Sequence, residues 1–251
     1  MTTSDPITSS DNRWLKRVRR AAERHEDEVL VEGPKQIEDA LARGLHAVVI
    51  LVREDRAAHP GLDPDRTFVV GERAFRTLGD TATSQGVVAL FERPRATIEE
   101  ILASTSPVVA LDGVQDPGNV GAIVRLAAAF DLGGVIALSG SADPFSPRAI
   151  RGSAGTVLHT PVATASGEEL VAGAARLARP LLVAMPAGPS IESGLPRNAV
   201  VVLGSEGRGA SRTIVDAATP FSIPISERVE SLNVASAAAI VVWELARRGR
   251  A

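Results

Sequence analysis

Residues 199–246 read AVVVLGSEGRGASRTIVDAATPFSIPISERVESLNVASAAAIVVWELA, and the alternation of apolar runs with polar, glycine-rich turns in this stretch decides the fold. Val200, Val201, Val202 and Leu203 form a β-branched, apolar run that stops at Gly204, the pattern of a buried parallel strand entering a turn. The turn that follows, Ser205-Glu206-Gly207-Arg208-Gly209, carries glycines that let backbone amides approach a bound molecule. A second short run predicts a strand over 221–223 and leads through a polar loop to Ser231-Leu232-Asn233. From there small residues dominate, and the spacing predicts a helix over 233–248 with Asn233 as its N-cap. Both loops read as walls of a ligand site.

Working upstream, the same alternation continues. Strands are predicted at 108–111, 134–138, 156–158 and 181–184, with helices at 120–130, capped by Asn119, and 167–178. Residues 143–155 read as a loop. Strands alternating with helices predict an α/β domain over 107–251, its mostly parallel sheet covered by helices on both faces. Before Pro94, strands at 28–32, 47–52, 67–70 and 87–91 are interleaved with helices from Pro34 to about Arg43 and over 72–78, giving a smaller α/β domain over 13–94. Gly44 supplies a helix stop and Pro34 suits a first helical turn. Residues 95–106 read as a linker with a short helix at Ile98 to Ala103, and the Ser/Thr/Asp-rich residues 1–12 as a disordered tail.

Composition narrows the function. The chain of 251 residues has no cysteine, so disulfides, thiolate metal sites and cysteine nucleophiles are excluded. No run approaches the ~18 apolar residues of a membrane span, and the polar first residues are unlike a signal peptide, which makes a cytoplasmic protein the expectation. The net charge of −3 does not by itself indicate nucleic acid. Yet Arg13, Lys16, Arg17, Arg19, Arg20 and Arg24 crowd one helical segment against Glu23 alone. Taken by itself that is a solvated helix face. The four histidines, His25, His46, His59 and His159, have no metal-ligand spacing, and neither G-x-G-x-x-G, G-x-x-x-x-G-K-[ST] nor G-x-S-x-G is present. Dinucleotide oxidoreductases, P-loop enzymes and serine hydrolases are thereby disfavoured, and no metal is expected.

Three motifs in order, VVALDGVQDPGNVGAIVR (108–125), GSEGRG (204–209) and SIPISERVESLNVASAAAIVVWEL (222–245), resemble those of the SpoU, or TrmH-like, ribose methyltransferases of the SPOUT superfamily. The likeness covers roughly residues 107–248. It implies a C-terminal domain with a deep trefoil knot, S-adenosylmethionine held in the knotted loops, and homodimers paired through that domain. The small residues Ala235, Ala237, Ala238 and Ala239 fit a helix passing close to other backbone. The opening VLVEGPKQIEDAL resembles the L30e-like RNA substrate-binding domain of many members, and Thr83-Ser84-Gln85-Gly86 their H-x-Q-G turn, with Thr83 in place of histidine.

The resemblance assigns roles residue by residue. Arg125, Asn119, Glu206, Ser231 and Asn233 match the catalytic positions, and Ala184, Met185, Gly204, Ser205, Glu206, Gly207, Ile223, Leu232 and Asn233 the cofactor site. The arginine of the family is proposed to take the proton from a ribose 2′-hydroxyl. A guanidinium keeps its proton at ordinary pH, so electrostatic stabilisation by a charged Arg125 stands as an equal alternative. Asn119 and Ser231 also read as helix-capping residues, and Ile223 and Leu232 as ordinary core. Arg13, Lys16, Arg17 and Arg20, with Arg148 and Arg151 of the segment that resembles S-P-K-x-x-R-A-S-x-G, become candidate RNA-phosphate contacts, against a reading as structural ion pairs. The expected activity is 2′-O-methylation of ribosomal RNA, 23S in particular, by relatives that include antibiotic-resistance enzymes. Transfer RNA and a non-catalytic RNA-binding paralogue are the alternatives.

Overall fold

The computed structural model describes residues 5–23, 27–56, 62, 65–78 and 85–249. Arg24, His25, His59, Thr83 and Ser84 lie outside the described residues. The chain forms two compact units, one of Met1–Pro94 with Phe145–Ile150, the other of Arg95–Pro144 with Arg151–Ala251.

In the first unit the elements run α1 (Arg13–Glu23), β1 (Glu28–Glu32), α2 (Pro34–Ala42), β2 (Ala47–Arg53), β3 (Thr67–Val70), α3 (Glu72–Phe75) with a 3-10 turn over Arg76–Leu78, and β4 (Val87–Glu92). They build a four-stranded sheet in the order β1-β4-β2-β3, antiparallel at β1-β4 and β4-β2 and parallel at β2-β3. The apolar face of α1, Leu15, Val18 and Ala21, is buried against Leu30, Val49, Leu51 and Leu90 of the sheet. Burying those three leaves the basic residues on the opposite face. Part of the expected tail pairs with the sheet: the Ile7 amide donates to Val69 O at 2.8 Å and Ile7 O accepts from the Gly71 amide at 3.0 Å. An unpaired edge strand recruits this segment because its backbone groups otherwise lack partners.

The second unit contains α4 (Ile98–Ala103), β5 (Val108–Asp112), α5 (Pro117–Ala129), β6 (Gly134–Leu138), α6 (Pro147–Gly152), β7 (Val162–Ala165), α7 (Gly167–Arg176), β8 (Leu181–Ala184), β9 (Val200–Gly204), α8 (Arg212–Ala217), β10 (Thr219–Phe221) and α9 (Val234–Gly249), with α6 straddling the boundary between the units. Its six strands are all parallel, in the order β10-β8-β9-β5-β6-β7. Full burial of β5 and β6 and near-full burial of β9 explain why these runs lack polar alternation.

Several expected boundaries move. Residues 156–158 form a 3-10 turn and the strand follows at Val162, because Thr156 and Thr160 hydroxyls bond local carbonyls, of Ser153 and Thr156, and hold a turn. The final short strand lies at 219–221 rather than 221–223, α8 was not foreseen, and part of the expected loop 143–155 is α6. Helix α5 begins at Pro117, three residues earlier than expected, and its cap is Asp116, whose carboxylate accepts from the Asn119 amide at 3.0 Å. Asp-Pro is a strong cap-and-first-turn pair, which releases the Asn119 side chain for other contacts.

The segment 95–106, expected as a linker, packs into the second unit. A Thr97–Glu100 capping box starts α4, and Ile101 and Leu102 are buried with Val108, Ile136 and Leu170. Arg179, only 7% exposed, locks this segment down. Its guanidinium donates to the carbonyl oxygens of Leu102 (3.1 Å), Ser104 (2.5 Å), Ser106 (2.7 Å) and Asn198 (2.9 Å). Burial pushes its pKa below the usual arginine value. The four carbonyl dipoles take the place of water around the charge.

Candidate active site

The strand register places Asp112 of β5 beside Gly204 of β9, and Ala184 of β8 beside Phe221 of β10. The loops leaving these strands therefore emerge along one edge of the sheet, where parallel α/β sheets bind ligands. The loop after β9 is a tight turn in which Ser205 and Gly209 exchange backbone hydrogen bonds of 3.1 and 2.9 Å. A Cβ on Gly204 would lie 2.3 Å from the backbone of Gly209 and Ala210, and Gly209 has φ +69°, so both positions require glycine. The buried Asp112 anchors the far side of the turn by accepting from the Ser211 amide at 2.6 Å.

This turn carries Glu206 to the starts of two helices. Glu206 Oε1 accepts from Asn119 Nδ2 of α5 at 3.0 Å, from Asn233 Nδ2 at 2.8 Å and from the Val234 amide, the first residue of α9, at 3.3 Å. Asn233 also donates to Asn119 Oδ1 at 3.4 Å, while its own Oδ1 accepts from the amides of Ala235 and Ser236. Asn233 thus caps α9 and joins the cluster with the same side chain. A carboxylate at two helix N-termini is favoured by their partial positive charge. Three residues separated by up to 114 positions in sequence are so fixed at one point.

Arg125 is not brought to this cluster. It stands exposed on α5 and makes no hydrogen bond or ion pair among the described residues. The reason is helical geometry: six residues at about 100° each put its side chain some 240° around α5 from Asn119. Helix α5 packs against α9, and Phe130 meets Trp243 edge-on with centroids 5.9 Å apart. On α9, Ile240 and Trp243 are 40% and 56% exposed.

Two cavities flank the cluster. The larger, about 570 Å³, is lined by Ala184, Met185, Gly204, Ser205, Glu206, Ile223 and Leu232, all expected at a cofactor site, and by Ser231. Ala237 of the small-residue helix forms part of its wall. Gly207 is absent from this lining and instead lines the second cavity, of about 380 Å³, while Asn233 reaches the site only through its hydrogen bonds. The physical reason is that the Ser205–Gly209 turn has two faces. The apolar slot of Ile223, Leu232 and Met185 beside exposed backbone of a glycine turn fits an adenosine-bearing sulfonium compound, with room to enclose it.

The candidate RNA contacts divide. Lys16, Arg17 and Arg20 line a cleft of about 780 Å³ in the first unit together with Asp27, Glu28, Arg66 and Glu92. Arg17 is bidentate to Glu28, Lys16 pairs with Asp11 at 3.0 Å, and Arg13 lies 4.7 Å over the Trp14 ring. Exposed pairs of this kind contribute little to stability and exchange readily for phosphate. Arg148 and Arg151 are exposed on α6. Among the described residues no group of three or more His, Cys, Asp or Glu could hold a metal, and no helix is long and apolar enough to cross a membrane.

The chain is similar to known RNA methyltransferases. The SpoU rRNA Methylase family pattern matches residues 106–243. The 23S rRNA (guanosine(2553)-2′-O)-methyltransferase RlmP of Bacillus subtilis is 30% identical over 229 residues, covering 86% of this chain and 87% of the relative. A TrmH-family RNA methyltransferase structure from Porphyromonas gingivalis superposes with TM-score 0.80 at 33% identity, over 93% of this chain and 96% of the other. An AdoMet-bound rRNA methyltransferase from Sinorhizobium meliloti gives 0.83 at 27%, over 97% and 98%.

Proposed function

The chain belongs to the SpoU rRNA methylase family, and from that premise we propose that it is an S-adenosylmethionine-dependent RNA ribose 2′-O-methyltransferase whose substrate is 23S ribosomal RNA, working in the cytoplasm. The observation that carries this reading is the Asn119–Glu206–Asn233 cluster standing at the rim of the 570 Å³ cavity. S-adenosylmethionine, when bound there, supplies a methyl group on a sulfonium. Ala184, Met185, Gly204, Ile223 and Leu232 would hold it.

The chain's own residues act chiefly by placement. An in-line displacement needs the acceptor oxygen aligned with the departing sulfur, and alignment of this kind accounts for much of an enzyme's rate. Glu206 has one oxygen committed to three N–H donors, so its role is to hold the α5 and α9 starts and the intervening turn in register. Ser231, on the cavity lining, is placed to orient the substrate backbone. Arg125 carries its charge on an exposed face of α5. Ile240 and Trp243, exposed on the helix that packs against α5, support a homodimer paired through this unit. A second copy docked there gives Arg125 a neighbouring active site at which to stabilise the developing alkoxide.

The first unit is the RNA-gripping domain of L30e type, its support being the cations Lys16, Arg17, Arg20 and Arg66 on the lining of its cleft. Arg148 and Arg151 extend the phosphate contact. The C-terminal segment is threaded as a trefoil knot, a reading supported by the bonds from Asn233 and the Val234 amide to Glu206 and by Ala237 in the cavity wall. The test is transfer of labelled methyl to purified ribosomal RNAs and to bulk transfer RNA. Label in 23S RNA, at one position resistant to alkaline cleavage and lost in Arg125→Ala, is expected. Label confined to transfer RNA overturns the substrate, and RNA binding without transfer overturns the activity.

A further inference from the structure

None of Ala184, Met185, Gly204, Ile223 and Leu232, the residues assigned above to the methyl donor, lines the 380 Å³ cavity. We propose that it seats the nucleobase of the target nucleotide, with Gln115 reading the base edge and Ser139 bounding the slot; this rests on the methyltransferase reading above. Its walls come from the loops after β5, β6 and β9. The chain leaves β5 towards β6 on one side and β9 towards β10 on the other, so the crevice at the ends of β5 and β9 is a point where the winding reverses, the place such sheets bind a ligand.

The two cavities share only Ser205, Glu206 and Val234. A ribose oxygen that receives a methyl group from one cavity must therefore stand at that shared wall. The base attached to the same ribose then extends away from the donor, into the second cavity. The charge of the walls favours a base there over a phosphate, because Asp116 and Glu206 both line it and Arg208 is its one cationic residue. A base seated there has been turned out of its stack, as enzymes acting on a paired or stacked nucleotide require.

Gln115 is exposed on the lining and makes no hydrogen bond among the described residues, so its amide donors and its carbonyl acceptor are available to a base edge. The Ser139 hydroxyl is likewise uncommitted, while the adjacent Ser141 hydroxyl fixes the wall by donating to Leu111 O at 2.9 Å and accepting from the Val114 amide at 3.2 Å. The slot is thus braced by Ser141 and presents two uncommitted side chains, Gln115 and Ser139.

The experiment compares wild type, Gln115→Ala, Gln115→Glu and Ser139→Leu on 23S transcripts carrying each of the four bases at the position the wild-type enzyme methylates. Calorimetry with S-adenosylmethionine runs alongside to report folding and donor binding. Loss of one base-edge hydrogen bond predicts about a tenfold fall in kcat/KM for Gln115→Ala, and filling the slot in Ser139→Leu a larger one. Gln115→Glu is expected to change the ranking of the four bases, and all variants keep wild-type donor affinity. Unchanged kcat/KM and base ranking in all three variants, or donor affinity that falls in step with activity, overturns the proposal. Absence of transfer by the wild type itself fails the methyltransferase reading instead.

Discussion

Replacing Arg179 by methionine removes a buried cation that holds four carbonyl oxygens at 2.5 to 3.1 Å while keeping an unbranched side chain of related shape. A hydrogen bond to a charged group contributes roughly 1.5–3 kcal/mol net, which sets a gross ceiling of about 12 kcal/mol for the four. Two effects lower it. The buried guanidinium carries a desolvation cost of several kcal/mol that the variant escapes, as the downward pKa shift of Arg179 records. Ser104 and Ser106 are only half-buried, so their carbonyls regain water, whereas the bond to Leu102 is buried. The expected loss is therefore about 3–5 kcal/mol, or a fall in Tm of about 10 °C for a unit of this size. Urea unfolding followed by Trp243 fluorescence in a Trp14→Phe background reports the second unit alone. Arg179→Lys, which keeps charge but not the planar fork, is expected to recover less than half. A loss below about 1 kcal/mol with an unchanged m-value would show that water serves these carbonyls as well and that the segment 95–106 is held by Ile101 and Leu102 alone.

Other perturbations test the site and the surface. Glu206→Ala unties α5 from α9 and is expected to lower single-turnover methyl transfer about 100-fold, while Glu206→Gln, which retains an acceptor oxygen, loses about tenfold; equal rates in both would remove the cluster from the mechanism. Trp243→Glu places charge on the exposed α9 face and is expected to shift sedimentation from dimer to monomer, an outcome that a contact elsewhere would not give. The carboxyls of Asp11, beside Lys16, of Asp55, beside Arg53, of Glu100, bonded by Thr97, and of Glu168, at the start of α7, are held below their ordinary values of 3.8 and 4.5. Their depressed folded values contribute stability that is complete above the unfolded pKa and lost as pH falls through the lowered ones. Thermal midpoints should therefore be flat from pH 7 to about 5 and decline below about 4.5, with a shallower decline in Glu100→Gln.

What the sequence by itself determined was whatever rests on local pattern. Apolar runs marked every strand of the first sheet and β5, β6, β8 and β9 of the second, and helix-period spacing marked α1, α5, α7 and α9 to within a few residues. The three motifs named the cluster members Asn119, Glu206 and Asn233 because residue type and spacing are visible in one dimension. Local pattern failed where a tertiary partner chose between equivalent options. Asp116 and Asn119 are both good caps, and only the presence of Glu206 across the site shows why the aspartate caps and the asparagine is left free. The segment 95–106 has a linker's composition, and only Arg179, more than seventy residues away, supplies the buried donors that hold it in the core. Nothing in the chain's order shows that the Ser205–Gly209 turn divides two cavities. That relation follows from the register of β5 against β9, which a sequence does not encode until the strands have paired.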